Sequence, residues 1–179
     1  MVLGKPDHRY PIEKSGGSRM NIFGFLCFTA VLLGTAVIDA RTRHIPKYVH
    51  WLLLAIGLVR VFSTGPPDQI VNNLLYSIAG MAIGFVPLFL LGLVAGGVGG
   101  GDVKLAGSAG FALAEPGLAI LYPGTYWAIL GSLLLFLSGK LYCKIRNGKR
   151  ISVPMPFAPY FAAAGIGTYF LQLIWRTIT

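Results

Sequence analysis

Six acidic residues occur in a chain of 179, few enough to be weighed one by one for chemistry. Asp7 and Glu13 lie in a polar N-terminal stretch, and Asp68 and Glu115 sit in turns beside Pro and Gly, where solvated carboxylates are expected. Asp39 and Asp102 differ from these. The first closes an apolar run at Ala36-Val37-Ile38-Asp39, and the second follows Gly96-Gly97-Val98-Gly99-Gly100-Gly101. A carboxylate at the rim of a low-dielectric layer is costly unless paired, hydrated or used. Ion pairs would satisfy both, Asp39 with Arg41, Arg43 or Lys47 and Asp102 with Lys104. Two carboxylates brought together could do more. They cannot both ionise, so one keeps a proton while the other removes one from water. That is the apparatus of an aspartic protease, in which the ionised acid activates water and the neutral one donates to the developing oxyanion. Such a pair titrates as a unit, so the proton belongs to neither residue alone.

Other chemistries find less support. The glycines before Asp102 would let an extended backbone approach the carboxylate, because residues without Cβ leave room and adopt shapes closed to others. A phosphate cradle would use glycines too, but it requires a strand before the loop and a Gly-Lys-Ser/Thr end, and neither is present. His8, His44 and His50 do not cluster with acids at metal-ligand spacing, so no metal site and no cofactor are expected. His44 is near enough in sequence to tune Asp39, although a solvated loop histidine is the simpler reading. No Ser or Cys sits in a recognisable His-acid set. Cys27 and Cys143 read as free thiols.

The elements that must carry Asp39 and Asp102 are apolar. The chain is 55% hydrophobic and 12% charged, against roughly 25% charged in soluble domains. Charge-free stretches cover 20–38, 69–101, 116–139 and 151–175, each at or above the ~18 residues of a membrane-span candidate. The predicted fold is an all-α, polytopic membrane bundle of about six helices, at 20–38, 48–63, 74–95, 105–114, 118–139 and 157–175. A polar tail, 1–19, precedes a single membrane-embedded domain, 20–179, and the first helix lacks a small-x-small cut site and reads as retained. The fourth helix is too short to cross ~30 Å of hydrocarbon. The fifth could kink at Pro123-Gly124. Arg60, near the end of the second, should snorkel to the head groups. Glycine spacings such as Gly80-x-x-x-Gly84 read as close helix packing. Trp51, Trp127, Trp175, Tyr48, Tyr122 and Tyr160 fall near helix ends, as aromatic belts do.

The net charge of +9 does not suggest a nucleic-acid partner, because the cations lie between apolar runs rather than along a soluble face. Loop charge facing anionic lipid is the better account. Lys and Arg in the loops after helices one, three and five number nine: Arg41, Arg43, Lys47, Lys104, Lys140, Lys144, Arg146, Lys149 and Arg150. Those loops are therefore expected on the cytoplasmic side, with both aspartates. The tail, carrying Lys5, Arg9, Lys14 and Arg19, dissents.

Gly99-Gly100-Gly101-Asp102-Val103-Lys104-Leu105 resembles the GxGD signature of the type IV prepilin peptidases, which are membrane aspartic proteases. Asp39-Ala40-Arg41-Thr42-Arg43-His44-Ile45-Pro46 is similar to that family's first aspartate segment, with Lys47 where Asn is usual. Pro154-Met155-Pro156-Phe157-Ala158-Pro159-Tyr160-Phe161 is similar to its last-helix motif. The three occur in family order, and the likeness covers roughly 22–175. It implies Asp39 and Asp102 as catalytic residues and Gly99, Gly101 and Lys104 as substrate-binding positions. It also implies prepilin-type substrates, and a bacterial inner-membrane enzyme whose site faces the cytoplasm. Larger members carry paired Cys-x-x-Cys motifs after the first helix and N-methylate their product. This chain has no cysteine there and resembles the short, peptidase-only members associated with tight-adherence (Flp) pili. Leaders of such substrates are basic, as are the loops, so the loop cations read as serving topology and lipid contact. The alternative from another class is a small proton-coupled transporter or secretion-assembly subunit. It would place its acids nearer mid-membrane, in broken helices. Presenilin-like proteases share GxGD but carry Tyr-Asp and Pro-Ala-Leu motifs that are not found here. The oligomeric state and the particular pilin leave no mark in the sequence.

Overall fold

The computed structural model describes residues 17–64, 66–95, 99–114, 124–147 and 156–178. They form six helices: α1 Gly17–Thr42, α2 Lys47–Ser63, α3 Ile70–Ala95, α4 Gly100–Leu113, α5 Gly124–Asn147 and α6 Ala158–Ile178. A single 3-10 turn, Pro67–Gln69, leads into α3. No strand occurs among the described residues.

The surface has the polarity of a bundle dissolved in lipid. Leu26, Leu33, Val37, Phe62, Val71, Leu75, Leu93, Leu134 and Leu137 are exposed, while Thr35, Asn73, Ser77, Ser108, Ser132 and Gln172 are buried. Water would invert that distribution, whereas hydrocarbon favours apolar exteriors and polar atoms satisfied inside. Ile22–Thr42 and Pro67–Leu93 are long and apolar enough to cross a membrane, and Tyr126–Gly139 is a shorter apolar stretch. The chain is a helical membrane protein of the predicted all-α class.

The helix boundaries move in ways that matter for the site. α1 runs past the expected residue 38 to Thr42, placing Asp39 inside its last turn. α3 begins at Ile70 rather than 74, because Asn73 Nδ2 donates to Thr64 O at 2.6 Å and ties its first turn to the preceding turn. Pro87 lies inside α3 without ending it, which neighbouring helices permit in a membrane bundle. α5 continues to Asn147, so part of the expected basic loop 140–150 is helical. Gly124 opens that helix, and the other half of the expected kink, Pro123, lies outside the described residues, as do residues 1–16 of the tail.

α4 is the centre of the bundle. Its 14 residues span only about 20 Å, and Leu105 through Ala114 are all buried. It packs against α2, α3, α5 and α6, while α1 packs on α2 and α6. Small residues make this possible. A Cβ on Gly84 would collide with the carbonyl of Ala106, one on Gly80 would lie 2.6 Å from Gly110 O, and one on Gly57 would strike the Phe111 ring. The Gly80-x-x-x-Gly84 spacing is thus the α3–α4 seam, as close packing predicts.

Arg60 does not snorkel. Its Nη1 donates to Ala112 O at 2.5 Å, and its guanidinium lies 5.7 Å from the Tyr169 ring centroid. The last carbonyls of α4, inside a low-dielectric bundle, need donors that lipid cannot supply. Gln172 Nε2 supplies a second, to Leu113 O at 3.3 Å.

Candidate functional site

Asp39 points inward from the last turn of α1 and is 5% exposed. The helix ends three residues on, at Thr42, after which Arg43 takes a left-handed φ of 52° and donates its N–H to Asp39 O at 2.8 Å. This reversal is a helix C-cap. It swings the chain through His44 to Ile45 and Pro46, the N-cap of α2. His44 is exposed, and its backbone N–H donates to Thr42 Oγ1.

The partner of Asp39 is the start of the last helix. Ala158 N–H, the first of α6, donates to Asp39 Oδ2 at 3.2 Å, across 119 residues of chain. Four backbone N–H groups at a helix N-terminus lack intrahelical acceptors, and the aligned peptide dipoles place partial positive charge there. A carboxylate complements both. The segment Pro156-Phe157-Ala158-Pro159 therefore has a physical task. Pro159 falls in the first turn, where its missing N–H costs nothing, and Phe157, buried, packs edge-on to Phe136 of α5 at 5.7 Å.

Asp102 is the third residue of α4, ahead of the apolar stretch that starts at Leu105. Its Oδ2 accepts the N–H of Gly99, the N-cap residue, at 3.3 Å. Burial pushes its carboxyl from an ordinary 3.8 up to about 6, the charge of Asp39 pushes the same way, and the Gly99 N–H opposes them. The two aspartates thus feel each other electrostatically. Among the described residues neither forms an ion pair with lysine or arginine, so the bland pairing that the sequence left open is not what holds them.

The glycines before Asp102 are not equivalent. A Cβ on Gly99 would stand 3.1 Å from Asp102 Oδ2, tight against the carboxylate. Gly100 faces open space. At Gly101 a Cβ would meet Ile45 at an ordinary 3.5 Å. Ile45 is buried, so the Ile-Pro that follows Asp39 docks beneath the glycine turn that precedes Asp102. Three segments far apart in sequence meet here: the Asp39 segment touches the Asp102 segment through Ile45 and Gly101, and touches the last-helix motif through Ala158.

Lys104 is exposed. It lies on a cleft of about 360 Å³ shared by α2, α3 and α4. Ile45 and Ala158 stand inside the family-like motifs of the sequence, but their contacts with Gly101 and Asp39 could not be read there. The first is an ordinary core residue by type, and the second acts through a backbone N–H that no side-chain identity advertises. Among the described residues no three His, Cys, Asp or Glu converge as a metal site would require.

Comparison with known proteins bears on what this arrangement does. The profile of the type IV leader peptidase family matches residues 26–144. A prepilin leader peptidase/N-methyltransferase of Xanthomonas campestris is 30% identical over 156 residues, covering 83% of this chain and 50% of that protein. One of Bacillus subtilis is 30% identical over 155 residues, 86% of this chain and 57% of the relative. Another, of Burkholderia pseudomallei, is 31% identical over 158 residues, 86% and 47% respectively. The chain spans about half the length of these curated relatives. No solved structure matches it significantly.

Proposed function

The chain belongs to the type IV leader peptidase family, and from that premise we propose that it is an aspartic endopeptidase removing the leader of type IV or Flp prepilins at the cytoplasmic face of the bacterial inner membrane. The observation that carries this reading is that the Asp39 and Asp102 segments pack together through Ile45 and Gly101, with the charge of Asp39 felt at Asp102 and, among the described residues, no ion pair to either acid.

The chemistry follows from the two environments. Asp39 faces the positive end of α6, a setting complementary to a carboxylate anion. Asp102, raised to about 6, holds a proton more readily than an ordinary aspartate. With one proton on the pair, the ionised carboxylate takes a proton from water as its oxygen adds to the scissile carbonyl carbon. The neutral carboxyl donates to the carbonyl oxygen, stabilising the charge that would develop there. Collapse of the tetrahedral diol breaks the C–N bond, and the departing nitrogen takes its proton from the pair. Gly99 keeps the approach to Asp102 low enough for an extended substrate backbone, Gly101 rests on Ile45 and so holds that turn in place, and Lys104 adds positive charge nearby.

Residues 20–179 act as one peptidase domain. N-methyltransferase activity is not expected, because the connection between Thr42 and Lys47 holds only Arg43 to Pro46 and no cysteine. The experiment is to incubate the purified chain with a full-length prepilin and sequence the new N-terminus. A single cut at the boundary between leader and hydrophobic helix, insensitive to EDTA, supports the reading, and an uncut precursor overturns it.

A further inference from the structure

The cleft beside Lys104 has chemistry that the peptidase reading, which takes from it only the charge of Lys104, does not use. On α2 it is lined by Lys47, His50, Trp51 and Leu54, at the i, i+3, i+4 and i+7 spacing of a single helix face. Lys104 and Ser108 face it from α4, and Met81 and Phe85 from α3. The lining is graded. Lys47 is the first residue of α2 and Lys104 lies in the second turn of α4, so both cations sit at the rim that carries the aspartates. Leu54, Met81 and Phe85 lie deeper, within the apolar part of α2 and α3. Both lysines are exposed, no acid lines the cleft among the described residues, and the Nδ1 of His50 is buried without a hydrogen-bond partner there. Trp51 is 73% exposed and Phe85 36%, so the apolar end opens toward the hydrocarbon rather than into the bundle.

We propose that this cleft binds an anionic phospholipid, its phosphate between Lys47 and Lys104 and an acyl chain along Trp51, Leu54 and Phe85. A protein carboxylate would match the cations, but it does not explain an apolar wall that continues from them into lipid. A long acyl chain attached to the anion does. Two lysines close to a lipid phosphate favour an anionic over a zwitterionic headgroup by roughly tenfold or more. The inference stands apart from the peptidase reading, since the site would bind lipid whether or not the aspartates hydrolyse anything.

Trp51 provides the readout. The full chain carrying Trp127→Phe and Trp175→Phe is reconstituted in phosphatidylcholine vesicles containing a minor fraction of brominated phosphatidylglycerol or brominated phosphatidylcholine. The expected result is that the anionic lipid quenches Trp51 at about one-tenth the mole fraction the zwitterionic lipid needs. Lys47→Gln with Lys104→Gln should remove that preference. Arg41→Gln with Arg43→Gln, the same loss of charge on the same rim, should keep it. Equal quenching by the two lipids overturns the proposal, as does a preference that survives loss of both lysines or disappears with the arginine pair. If lipids of both charges quench equally and an apolar helical peptide bearing a glutamate displaces them, the cleft is a protein-binding site instead.

Discussion

The two ends of α4 solve opposite problems with charge. At its start, Asp102 and Asp39 place two acids near helix N-termini, and no lysine or arginine neutralises either among the described residues. At its end, Arg60 and Gln172 donate to Ala112 O and Leu113 O, and Arg60 also rests on the Tyr169 ring. Both arrangements suit the helix dipole, acid at the N-terminus and cation at the C-terminus. They differ in completeness. The C-terminal donors close off carbonyls that have no water to turn to, which is a structural role. The N-terminal acids keep unused acceptor capacity, and burial together with the charge of Asp39 raises the carboxyl of Asp102 to about 6, the kind of perturbation that the proposed chemistry would use. Charge inside this bundle is therefore handled in two ways, capped onto carbonyls at one end of α4 and left without a lysine or arginine partner among the described residues at the other.

The largest expected effect tests that contrast directly. Asp39→Asn or Asp102→Asn should lower prepilin cleavage on the order of 10³-fold or more, measured by gel shift of the precursor, with the protein still in the membrane and folded. Asp102→Asn should also gain stability relative to the parent as pH rises. Between the ordinary 3.8 and about 6 the folded protein holds the Asp102 proton more tightly than the unfolded chain does. The parent therefore loses stability as pH climbs through that window, and the amide does not. An inactive variant that has simply unfolded would erase the distinction between the two ends.

The pH profile comes next. Cleavage should fall as pH rises through about 6, where Asp102 gives up its proton, by roughly tenfold for each further unit. A rate constant that stays level to pH 8 would remove a proton held by the pair from the mechanism.

Arg60→Ala should act at the other end and on a different quantity. It leaves Ala112 O without that donor and should cost about 2–3 kcal/mol of stability, read by thermal unfolding in detergent. Cleavage per folded molecule should hardly change. Were Arg60→Ala stable yet inactive, the C-terminal end would share in the chemistry and the comparison would fail.

Lys104→Ala should slow cleavage by about tenfold without stopping it, because it removes a nearby charge rather than a reacting group. The smallest effect is at Gln172. Gln172→Leu should cost about 1 kcal/mol through Leu113 O, with the pH profile of cleavage unmoved.

Much of this was legible in the sequence because the signals are local. Charge-free runs announce membrane helices, since every backbone polar group in hydrocarbon must bond within its own segment. Asp39 and Asp102 stood out because only six acids occur and these two border apolar runs. Arg60 was misread for an equally physical reason. Its position near a helix end suits snorkelling, and only the arrival of Ala112 and Tyr169 from other helices turns it inward. The short fourth helix looked inadequate as a span; in the structure it is an interior helix, wrapped by neighbours whose glycines admit its backbone.

The sequence by itself determined an all-helical membrane protein, the two acids and the order of the motifs, because composition and periodicity decide which segments leave water. The tertiary structure decided that Ile45 seats under Gly101 and that the N–H of Ala158 reaches Asp39. Those contacts span gaps of 56 and 119 residues, and they rest on packing and on a backbone group that every residue but proline carries. No local pattern can encode which of many such groups a carboxylate will meet; that is settled only when the helices close around α4.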